Sequence, residues 1–262
     1  MSAPASFRQR LRARQPLYGT FFKTPSHQLV EVLGGAGLDF IVIDAEHAPF
    51  DRAALDVCLL AARANNLPAL VRVAAADDAH ILNALDLGAT GIVAPHARNA
   101  GAVGRIEAAV RYRGGVRGFS NSPRAGAYGR TGMEDHIARS DRDSVAICQI
   151  EDREAIDAID AIAALPGADC LFIGRADLAV SYGVHDVGHP LVRDAVHAVC
   201  AAARRSGKAV GIHIGNVDEA QAWRALGVSL FVIGSDQALL RAAVADLRRR
   251  IPETDNDTKE TA

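Results

Sequence analysis

The stretch DFIVIDAEHAPFD, residues 39–51, begins as an apolar strand and ends in acidic residues. Its run FIVI contains no polar residue, which is typical of a parallel strand buried on both faces. Asp44, Glu46 and His47 follow this run directly. Asp and His are common in ordinary turns, so the acidic ending alone predicts only a turn. Whether it indicates a functional site depends on how the other strands end.

Seven further apolar runs with strand character occur along the chain, each followed by a segment of helical length. The eight predicted strands are residues 17–22, 38–44, 68–73, 91–95, 144–151, 169–174, 208–214 and 229–234. The segments between them are rich in Ala, Leu, Arg and Glu, and two end in Leu-Gly, a helix stop, just before the next strand. Eight βα units in 262 residues predict a (β/α)8 TIM barrel, with a doubly wound sheet as the runner-up.

Two segments break the regular alternation of strands and helices. Residues 113–143 are rich in Gly, Arg and Ser, and residues 175–189 follow the sixth strand. Both are predicted to be long loops, which in compact domains are usually functional. We predict a single barrel domain over residues 1–250. A disordered tail is predicted over residues 251–262, because its stretch PETDNDTKETA carries no apolar anchor.

The composition argues against several classes of protein. Apolar residues make up 49% of the chain and the net charge is −2, without a basic stripe for nucleic acid. No apolar run reaches the ~18 residues of a membrane span, and the N-terminus lacks the apolar core of a secretory signal. The four cysteines are isolated and are predicted to be buried and reduced. We therefore predict a cytoplasmic protein that binds neither nucleic acid nor membrane.

Chemically capable side chains follow several predicted strands, and in a TIM barrel the active site lies at these C-terminal ends. The residues are Asp44, Glu46 and His47 after the second strand, Arg72 on the third, Gln149 and Glu151 on the fifth, and Asp177 after the sixth. Nothing comparable lies at the strand starts. His213 points to the same rim and receives no role. His80, His96 and His197 are predicted to be structural or surface residues.

Glu151 and Asp177 are the predicted metal ligands. Both are hard oxygen donors on adjacent strands, suited to a divalent cation that keeps sites for water and substrate. A 2-oxo acid could bind such a cation through its carboxylate and keto oxygens, and the cation would stabilise the enolate. A lone Glu at a strand end is more often a surface or salt-bridged residue. The coincidence of several such residues at one rim favours the metal site.

Four residues are predicted to be catalytic: His47, Arg72, Asp44 and Asp86. Arg72 is expected to hold the developing oxyanion. His47 is expected to move a proton, because imidazole titrates near neutral pH. A carboxylate at Asp44 or Asp86 could orient its ring. Taken singly, His47 would be a turn histidine and Arg72 the partner of an acidic neighbour.

Lysine distribution bears on the type of aldolase chemistry. A Schiff-base enzyme needs a lysine inside the catalytic mouth, and the chain has only Lys23, Lys208 and Lys259. Lys259 is in the tail and Lys208 precedes the seventh strand, at the wrong end of the barrel. Lys23 follows the first strand on the correct side and stays a candidate. The sixth strand carries no lysine, so a metal is the favoured electron sink.

Four segments taken together closely resemble the HpcH/HpaI aldolase family of class II pyruvate aldolases. They are FIVIDAEHAPFD, VRVAAADDAHILNALDLGATGIVAPHARNA, GGVRGFSNSPRAGAYG and QIEDREAIDAIDAIAALPGADCLFIGRADLAVSYG. The resemblance runs from about Gly19 to Gly234 in family order and spacing. It implies a barrel of the phosphoenolpyruvate/pyruvate type that binds Mg²⁺, Mn²⁺ or Co²⁺ through Glu151 and Asp177.

The same resemblance implies roles for residues around the metal. Arg72 would contact the pyruvyl oxygen, and His47 would serve acid/base work with a nearby Asp. Backbone N–H groups from Gly174 to Asp177 would bind the pyruvate carboxylate. The expected substrate-binding residues are therefore Arg72, Gln149, Gly174, Arg175 and Ala176.

Family members form hexamers, commonly trimers of dimers that exchange the last helix, and the segment DQALLRAAVADLRRR is the candidate for exchange. Two departures from the family pattern concern the aldehyde end of the site. Arg175 stands where many members have Pro, and it is either a clamp for a substrate carboxylate or a solvent-facing side chain. Phe21, Phe22 and Lys23 occupy the position after the first strand that is often Trp.

The leading functional hypothesis is a metal-dependent aldolase that reversibly cleaves a 4-hydroxy-2-oxo acid to pyruvate and an aldehyde. Oxaloacetate decarboxylation, or carbon–carbon bond formation like that of macrophomate synthase, would use the same enolate. A lyase acting on CoA thioesters is disfavoured because the chain has no CoA-binding signature. A barrel that only binds a keto acid is the non-catalytic alternative, and the intact set of site residues argues against it. The aldehyde partner and the preferred metal stay open.

Overall fold

The computed structural model describes residues 5–251. Eight parallel strands form a closed barrel in sequential order, which confirms the predicted (β/α)8 TIM barrel. The strands are β1 (Leu17–Phe22), β2 (Phe40–Asp44), β3 (Ala69–Arg72), β4 (Gly91–Ala94), β5 (Val145–Ile150), β6 (Cys170–Ile173), β7 (Ala209–Ile214) and β8 (Leu230–Ser235). Each lies within two residues of its predicted bounds. The predicted disordered tail falls outside the described residues except for its first residue.

Helices connect the strands and surround the barrel. They are α1 (Phe7–Arg12), α2 (His27–Gly34), α3 (Arg52–Ala64), α4 (Asp78–Asp86), α5 (Ala100–Val110), α6 (Met133–Asp143), α7 (Arg153–Asp157), α8 (Ile159–Ala164), α9 (Arg175–Ser181), α10 (Pro190–Ser206), α11 (Ala220–Ala225) and α12 (Asp236–Arg250). Asp51, Asp77 and Asn99 cap three of them by accepting backbone N–H groups of the first turn. No helix among residues 5–251 has the length and apolar character that crossing a membrane requires.

The two predicted long loops are partly helical, so this prediction was wrong in part. The segment 113–143 ends in α6, and the segment 175–189 begins with α9. In α6, MEDHIARSDRD, only His136 is buried. Because the helix contacts the barrel so little, it lacks the apolar stripe by which a helix is recognised in sequence. The irregular part that remains between β4 and β5 is residues 111–132.

Side chains alternate along each strand between two apolar layers. In β2, Phe40 and Val42 belong to the cluster inside the barrel, whereas Ile41 and Ile43 pack against the outer helices. Both layers are almost fully buried. The four cysteines are also buried and unpaired, as predicted. Burial raises the pKa of Cys58 to about 11, so this thiol stays protonated at neutral pH.

Helix α1 closes the barrel at the strand starts. Phe7 and Leu11 pack against the inner cluster, with the ring of Phe7 5.5 Å from that of Phe40. Asp169, immediately before β6, is buried and accepts hydrogen bonds from Arg8 at 3.0 Å and from Arg12 at 2.6 Å. Arg111 and the N–H of Ala146 also donate to Asp169, at 3.3 and 3.0 Å. This end is therefore closed by the apolar packing of α1, and ion pairs between its arginines and Asp169 hold the helix in place.

Candidate active site

A cavity of about 780 Å³ opens at the C-terminal ends of the strands. Its walls come from β1, β3, β5, β6, β7, β8 and the first turns of α9 and α12. Among the sequence-predicted residues that line it are His47, Arg72, Gln149, Gly174, Arg175, Ala176 and Asp177. Asp44 and Glu151 lie just behind this wall and contact its members. The fold thus brings nine of the ten predicted site residues to one end of the barrel, Asp86 being the exception.

Arg72, the last residue of β3, is held by two carboxylates at the end of β2. The strand register places Asp44 opposite Arg72. Arg72 Nε lies 3.0 Å from Asp44 Oδ1, and its terminal nitrogen lies 2.8 Å from Oδ2. Glu46 Oε2 is 3.3 Å from the same Nε. Burial acts to raise the pKa of Asp44, but the hydrogen bonds and charge of Arg72 outweigh it and lower the pKa. Asp44 is therefore ionised at neutral pH and fixes the guanidinium group.

Two residues of β1 and its following loop complete the surroundings of Arg72. The guanidinium carbon lies 4.6 Å from the centre of the Phe21 ring, a cation–π contact. Lys23 Nζ lies 3.2 Å from Asp44 Oδ2. The one lysine that sequence analysis left as a Schiff-base candidate is thus held in an ion pair with the carboxylate that also holds Arg72.

Glu151 and Asp177 converge beside Gly174. A Cβ atom at Gly174 would lie 3.3 Å from Glu151 Oε2, 3.4 Å from Asp177 Oδ2 and 2.9 Å from Glu151 Cβ. Any side chain at residue 174 would therefore enter the space that the two carboxylates face. Burial raises the pKa of Glu151, although two hydrogen bonds oppose this, and the negative charge of Asp177 raises it further.

The donor set fits a divalent cation. Within residues 5–251, Asp177 forms no ion pair with Lys, Arg or His within 4.0 Å, so the repulsion between the two carboxylates is not offset by an Arg or Lys. Gln149 donates its side-chain amide to Glu151 Oε2, and its own Oε1 is buried without a hydrogen-bond partner. Two carboxylates and an unsatisfied amide oxygen are the hard ligands that Mg²⁺ and Mn²⁺ prefer.

His96 lies beside Glu151, so the prediction that it is a structural or surface residue was incomplete. Its ring is half exposed, but its backbone N–H donates to Glu151 Oε1 at 2.7 Å. Residue 96 has a φ of +54°, and this left-handed turn after β4 aims the N–H at Glu151. The signal was available in the sequence, because His96 directly follows the fourth strand at the same rim.

His96, Glu151 and Asp152 form a second grouping whose ligand atoms lie within 4.8 Å of one another. In this grouping His96 Nδ1 already lies 3.0 Å from Asp152 Oδ2. Burial acts to lower the pKa of His96, but Asp152 and Glu151 raise it overall. This arrangement suits a histidine that positions and partly neutralises Glu151, as outer partners of metal ligands commonly do.

His47 lines the cavity with a largely exposed ring. Its backbone N–H donates to Asp44 Oδ1 at 3.2 Å, and its Nε2 lies 3.7 Å from Glu46 Oε2. Asp44 thus fixes the backbone of His47, and the carboxylate nearest the ring belongs to Glu46. Asp86 does not reach this ring. It is the last residue of α4, which leads directly into the start of β4 at the opposite end of the barrel, and it pairs with Arg117 at 3.1 Å.

Arg175 lies in the cavity wall with a mostly buried side chain, so of the two alternatives considered from the sequence it does not adopt the solvent-facing one. Its terminal nitrogen lies 3.0 Å from Glu219 Oε2 and donates to the carbonyl oxygen of His213 at 3.1 Å. The guanidinium group also lies 5.0 Å from the Trp223 ring centre. Arg175 is therefore a fixed wall of the cavity, and its charge is partly offset by Glu219.

His213, to which the sequence gave no role, projects into the cavity from β7. Its ring is 5.6 Å from that of Phe21. Desolvation by the surrounding protein lowers its pKa; a hydrogen bond donated by the ring to the backbone carbonyl of Gly234 opposes this, and the charges of Arg175 and other nearby cations reinforce it. The ring is therefore neutral at pH 7 and able to accept a proton.

Comparison with known proteins relates this site to a family. The family model described as HpcH/HpaI aldolase/citrate lyase matches residues 17–243. The 5-keto-4-deoxy-D-glucarate aldolase of Salmonella paratyphi C is 33% identical over 246 residues, which cover 93% of this chain and 95% of that protein.

Solved structures give the same relation. A HpcH/HpaI aldolase/citrate lyase family protein from Burkholderia cenocepacia is 35% identical with a TM-score of 0.87, covering 92% of this chain and 97% of that one. The citrate synthase SbnG is 30% identical with a TM-score of 0.84, covering 93% and 96%. The residues that the family model matches, 17–243, include every strand and every residue of the cavity wall.

Proposed function

This chain belongs to the HpcH/HpaI aldolase/citrate lyase family and is a carbon–carbon lyase, and we propose that it is a metal-dependent aldolase. The proposed reaction is reversible cleavage of a 4-hydroxy-2-oxo acid to pyruvate and an aldehyde. The observation that carries the proposal is the convergence of Glu151 and Asp177 beside Gly174, in the cavity that also contains the fixed guanidinium of Arg72.

Glu151 and Asp177 would hold the cation, which we expect to be Mg²⁺, Mn²⁺ or Co²⁺. A divalent cation there supplies polarisation of the 2-oxo group and stabilisation of negative charge on its oxygen. Gln149 keeps Glu151 in place through its amide, and His96 does so through its backbone N–H. Gly174 leaves room for the substrate, because no side chain projects between the carboxylates.

Arg72 binds the oxygen on which negative charge develops. Its orientation is set before substrate arrives, because Asp44 holds two of its nitrogens and Phe21 covers one face. A donor that needs no reorganisation during the reaction stabilises the transition state more than a mobile one. The substrate carboxylate is placed against the first turn of α9, where Ala176 and its neighbours offer backbone N–H groups without intrahelical partners.

His47 is proposed to accept the proton of the 4-hydroxyl group when the carbon–carbon bond breaks. Its ring faces the cavity, and its Nε2 lies 3.7 Å from Glu46 Oε2. His213 is the second base candidate, because it is neutral and in the same cavity. Both side chains are exposed to the cavity, and they differ in their neighbours, since His213 on β7 lies against Phe21 whereas His47 after β2 lies beside Glu46.

The substrate class is proposed to be a sugar acid that carries a second carboxylate. The mouth of the cavity contains Arg175 and Arg241, and Arg241 forms no ion pair within residues 5–251. A cation at the mouth favours an anionic group on the aldehyde half of the substrate. The similarity to 5-keto-4-deoxy-D-glucarate aldolase supports the same class.

Deuterium exchange at pyruvate C3, followed by NMR, tests the proposal without requiring the aldehyde to be known. Protein stripped with EDTA should exchange only after Mg²⁺, Mn²⁺ or Co²⁺ is added. Asp177→Asn and Glu151→Gln should each lower the metal-dependent rate by about a thousandfold or more, since the metal contributes several kcal/mol. Arg63→Ala, an exposed change at the other end of the barrel, should exchange normally. Exchange without metal, or normal exchange in Asp177→Asn, would refute the metal assignment.

Carbon–carbon bond formation is the second candidate, and the similarity to the citrate synthase SbnG favours it. It would use the same residues to hold a pyruvate-type enolate, which would then attack a different acceptor. Incubation with oxaloacetate and metal separates the candidates. Rapid loss of CO₂ combined with failure to cleave any 4-hydroxy-2-oxo acid would favour this second reaction.

A second copy of the chain is proposed to cover α12. This helix has exposed apolar residues along its length, and among its residues only Asp236 is buried. They are Leu239, Leu240, Val244, Leu247 and, just beyond it, Ile251. The predicted hexamer with exchange of this helix would bury them, and light scattering together with truncation before residue 236 tests it. The cytoplasmic location likewise stays a prediction.

A further inference from the structure

A second cavity, of about 360 Å³, lies at the end of the barrel opposite the candidate active site. It is placed at the strand starts, because its wall includes Lys208 just before β7 and Ser229 just before β8. We call it the basic cavity. Among residues 5–251, its wall contains four cationic side chains, Arg14, Arg204, Lys208 and Arg224, and no Asp or Glu.

The charge of the basic cavity is not balanced by neighbouring carboxylates. None of its four cations has a carboxylate oxygen within 4.0 Å in the described part of the chain. Asp169 is among the carboxylates that act on Lys208. However, it is already shared by Arg8, Arg12 and Arg111. Several cations around one concave surface create a strong positive potential that attracts anions.

Ser229 provides an independent observation. It is 4% exposed and lines the basic cavity, and its Oγ has no hydrogen-bond partner in the part of the chain that the structure describes. Its backbone is fixed at both ends, because its N–H donates to Val210 and its carbonyl accepts from Leu17. A buried hydroxyl without a partner is unfavourable. A bound ligand with acceptor oxygens would satisfy it.

We propose that the basic cavity binds a small anion that carries phosphate groups. Arginine side chains form paired hydrogen bonds with phosphate oxygens, and the Ser229 hydroxyl would donate one more. Arg204 is partly positioned already, since its terminal nitrogen donates to the carbonyl of Leu226 at 3.3 Å. The volume exceeds that of inorganic phosphate and matches the lower range of small-metabolite sites. The ligand class is thus a phosphorylated metabolite or a diphosphate.

Calorimetric titration with inorganic pyrophosphate, at constant ionic strength and without added divalent metal, tests the proposal. We expect saturable one-site binding to the full chain. Arg204→Ala and Arg224→Ala should each weaken it about tenfold or more. Both residues are exposed, so the variants should fold. Ser229→Ala should weaken binding a few-fold while leaving the unliganded melting temperature unchanged or raised, because it removes an unsatisfied hydroxyl.

Two matched arginine variants serve as controls. Arg63 is the single cation of another cavity at the strand starts, of about 290 Å³, and Arg241 lines the candidate active site. Neither Arg63→Ala nor Arg241→Ala should change pyrophosphate affinity. Equal weakening in either control, or no binding below millimolar pyrophosphate, would overturn the site. Tighter binding of propane-1,2,3-tricarboxylate than of pyrophosphate would overturn the phosphate class.

Discussion

At the strand starts, Asp169 is buried and bonded to three arginines, whereas at the strand ends Glu151 and Asp177 face each other across Gly174 without an Arg or Lys partner among residues 5–251. The first end is closed by α1 and its carboxylate is neutralised inside the fold. The second end is an open cavity in which Asp177 has no cationic partner among residues 5–251 and Glu151 is offset only in part, by His96. The difference indicates that the charge balanced within the chain stabilises the fold. The unbalanced charge is available for a ligand.

The largest contrast in stability is expected between Asp169→Asn and Asp177→Asn. Removing Asp169 leaves Arg8 buried without its partner, and breaking such a pair costs about 3–5 kcal/mol. Asp177→Asn removes repulsion with Glu151, so the metal-free protein should be as stable as the original or more stable. Urea unfolding of both variants in EDTA measures this.

Activity provides the control for this pair. The folded fraction of Asp169→Asn should retain normal metal-dependent exchange, because Asp169 lies at the other end of the barrel. A marked loss of stability in Asp177→Asn, or only a small loss in Asp169→Asn, would contradict the division of roles between the two ends.

His47→Ala should lower kcat by about a hundredfold, the usual lower range for loss of a general base. Metal affinity should be unchanged, because His47 is not among the residues around Gly174. His213→Ala is the matched variant and should lower kcat less than tenfold. Steady-state kinetics with a 4-hydroxy-2-oxo acid, together with metal titration, measures both. The reverse order would make His213 the base, and weakened metal binding in His47→Ala would make His47 a ligand.

Asp44→Asn should destabilise the protein in a pH-dependent manner. Arg72 lowers the pKa of Asp44 below its ordinary value of 3.8. The contribution of this ion pair to stability is therefore complete above about pH 4 and is lost as the pH falls through the lowered pKa. Urea unfolding of both proteins from pH 7 to pH 3 should give a constant difference that shrinks only below pH 4. A difference that changes between pH 7 and pH 5 would contradict this assignment.

Phe21→Leu is expected to have the smallest effect. The change keeps apolar volume but removes the aromatic face under Arg72, worth about 0.5–1 kcal/mol. The catalytic efficiency kcat/KM should fall a few-fold with little change in metal affinity. Phe7→Leu, at the closed end, should leave kcat/KM unchanged and alter only stability. Equal kinetic effects of the two substitutions would show that Phe21 does not orient Arg72.

The strands, the barrel and most of the site could be predicted from the sequence. Parallel strands that are buried on both faces have continuous apolar sequences, so they can be recognised. When eight βα units close into a barrel, the functional side chains lie at the C-terminal ends of the strands. Arg72 and Asp44 could be placed together because both end neighbouring strands. Glu151 and Asp177 follow the same rule.

The features of the site that could not be predicted from the sequence depend on the direction that the chain takes between the strands. The backbone N–H of His96 reaches Glu151 because residue 96 has a left-handed conformation, and a histidine in the sequence does not predict that conformation. Asp44 and Asp86 were both considered as partners of the His47 ring, and within one chain the direction of α4 takes Asp86 to the opposite end of the barrel. Arg175 forms an ion pair with Glu219, which is 44 positions away in the sequence, and no local sequence pattern predicts that pair. Helix α6 escaped prediction because its contacts with the barrel are few.

The anchor between α1 and Asp169 also bears on the order in which the chain folds during synthesis. Arg8 and Asp169 are separated by 161 positions, so the helix is made long before its partner. Until Asp169 and β6 have been synthesised, Arg8 lacks its carboxylate partner, and the end of the barrel at the strand starts stays open. That end of the barrel can therefore be completed only after more than half of the chain has been synthesised. In a nascent chain halted before Asp169, α1 should not be docked on the barrel.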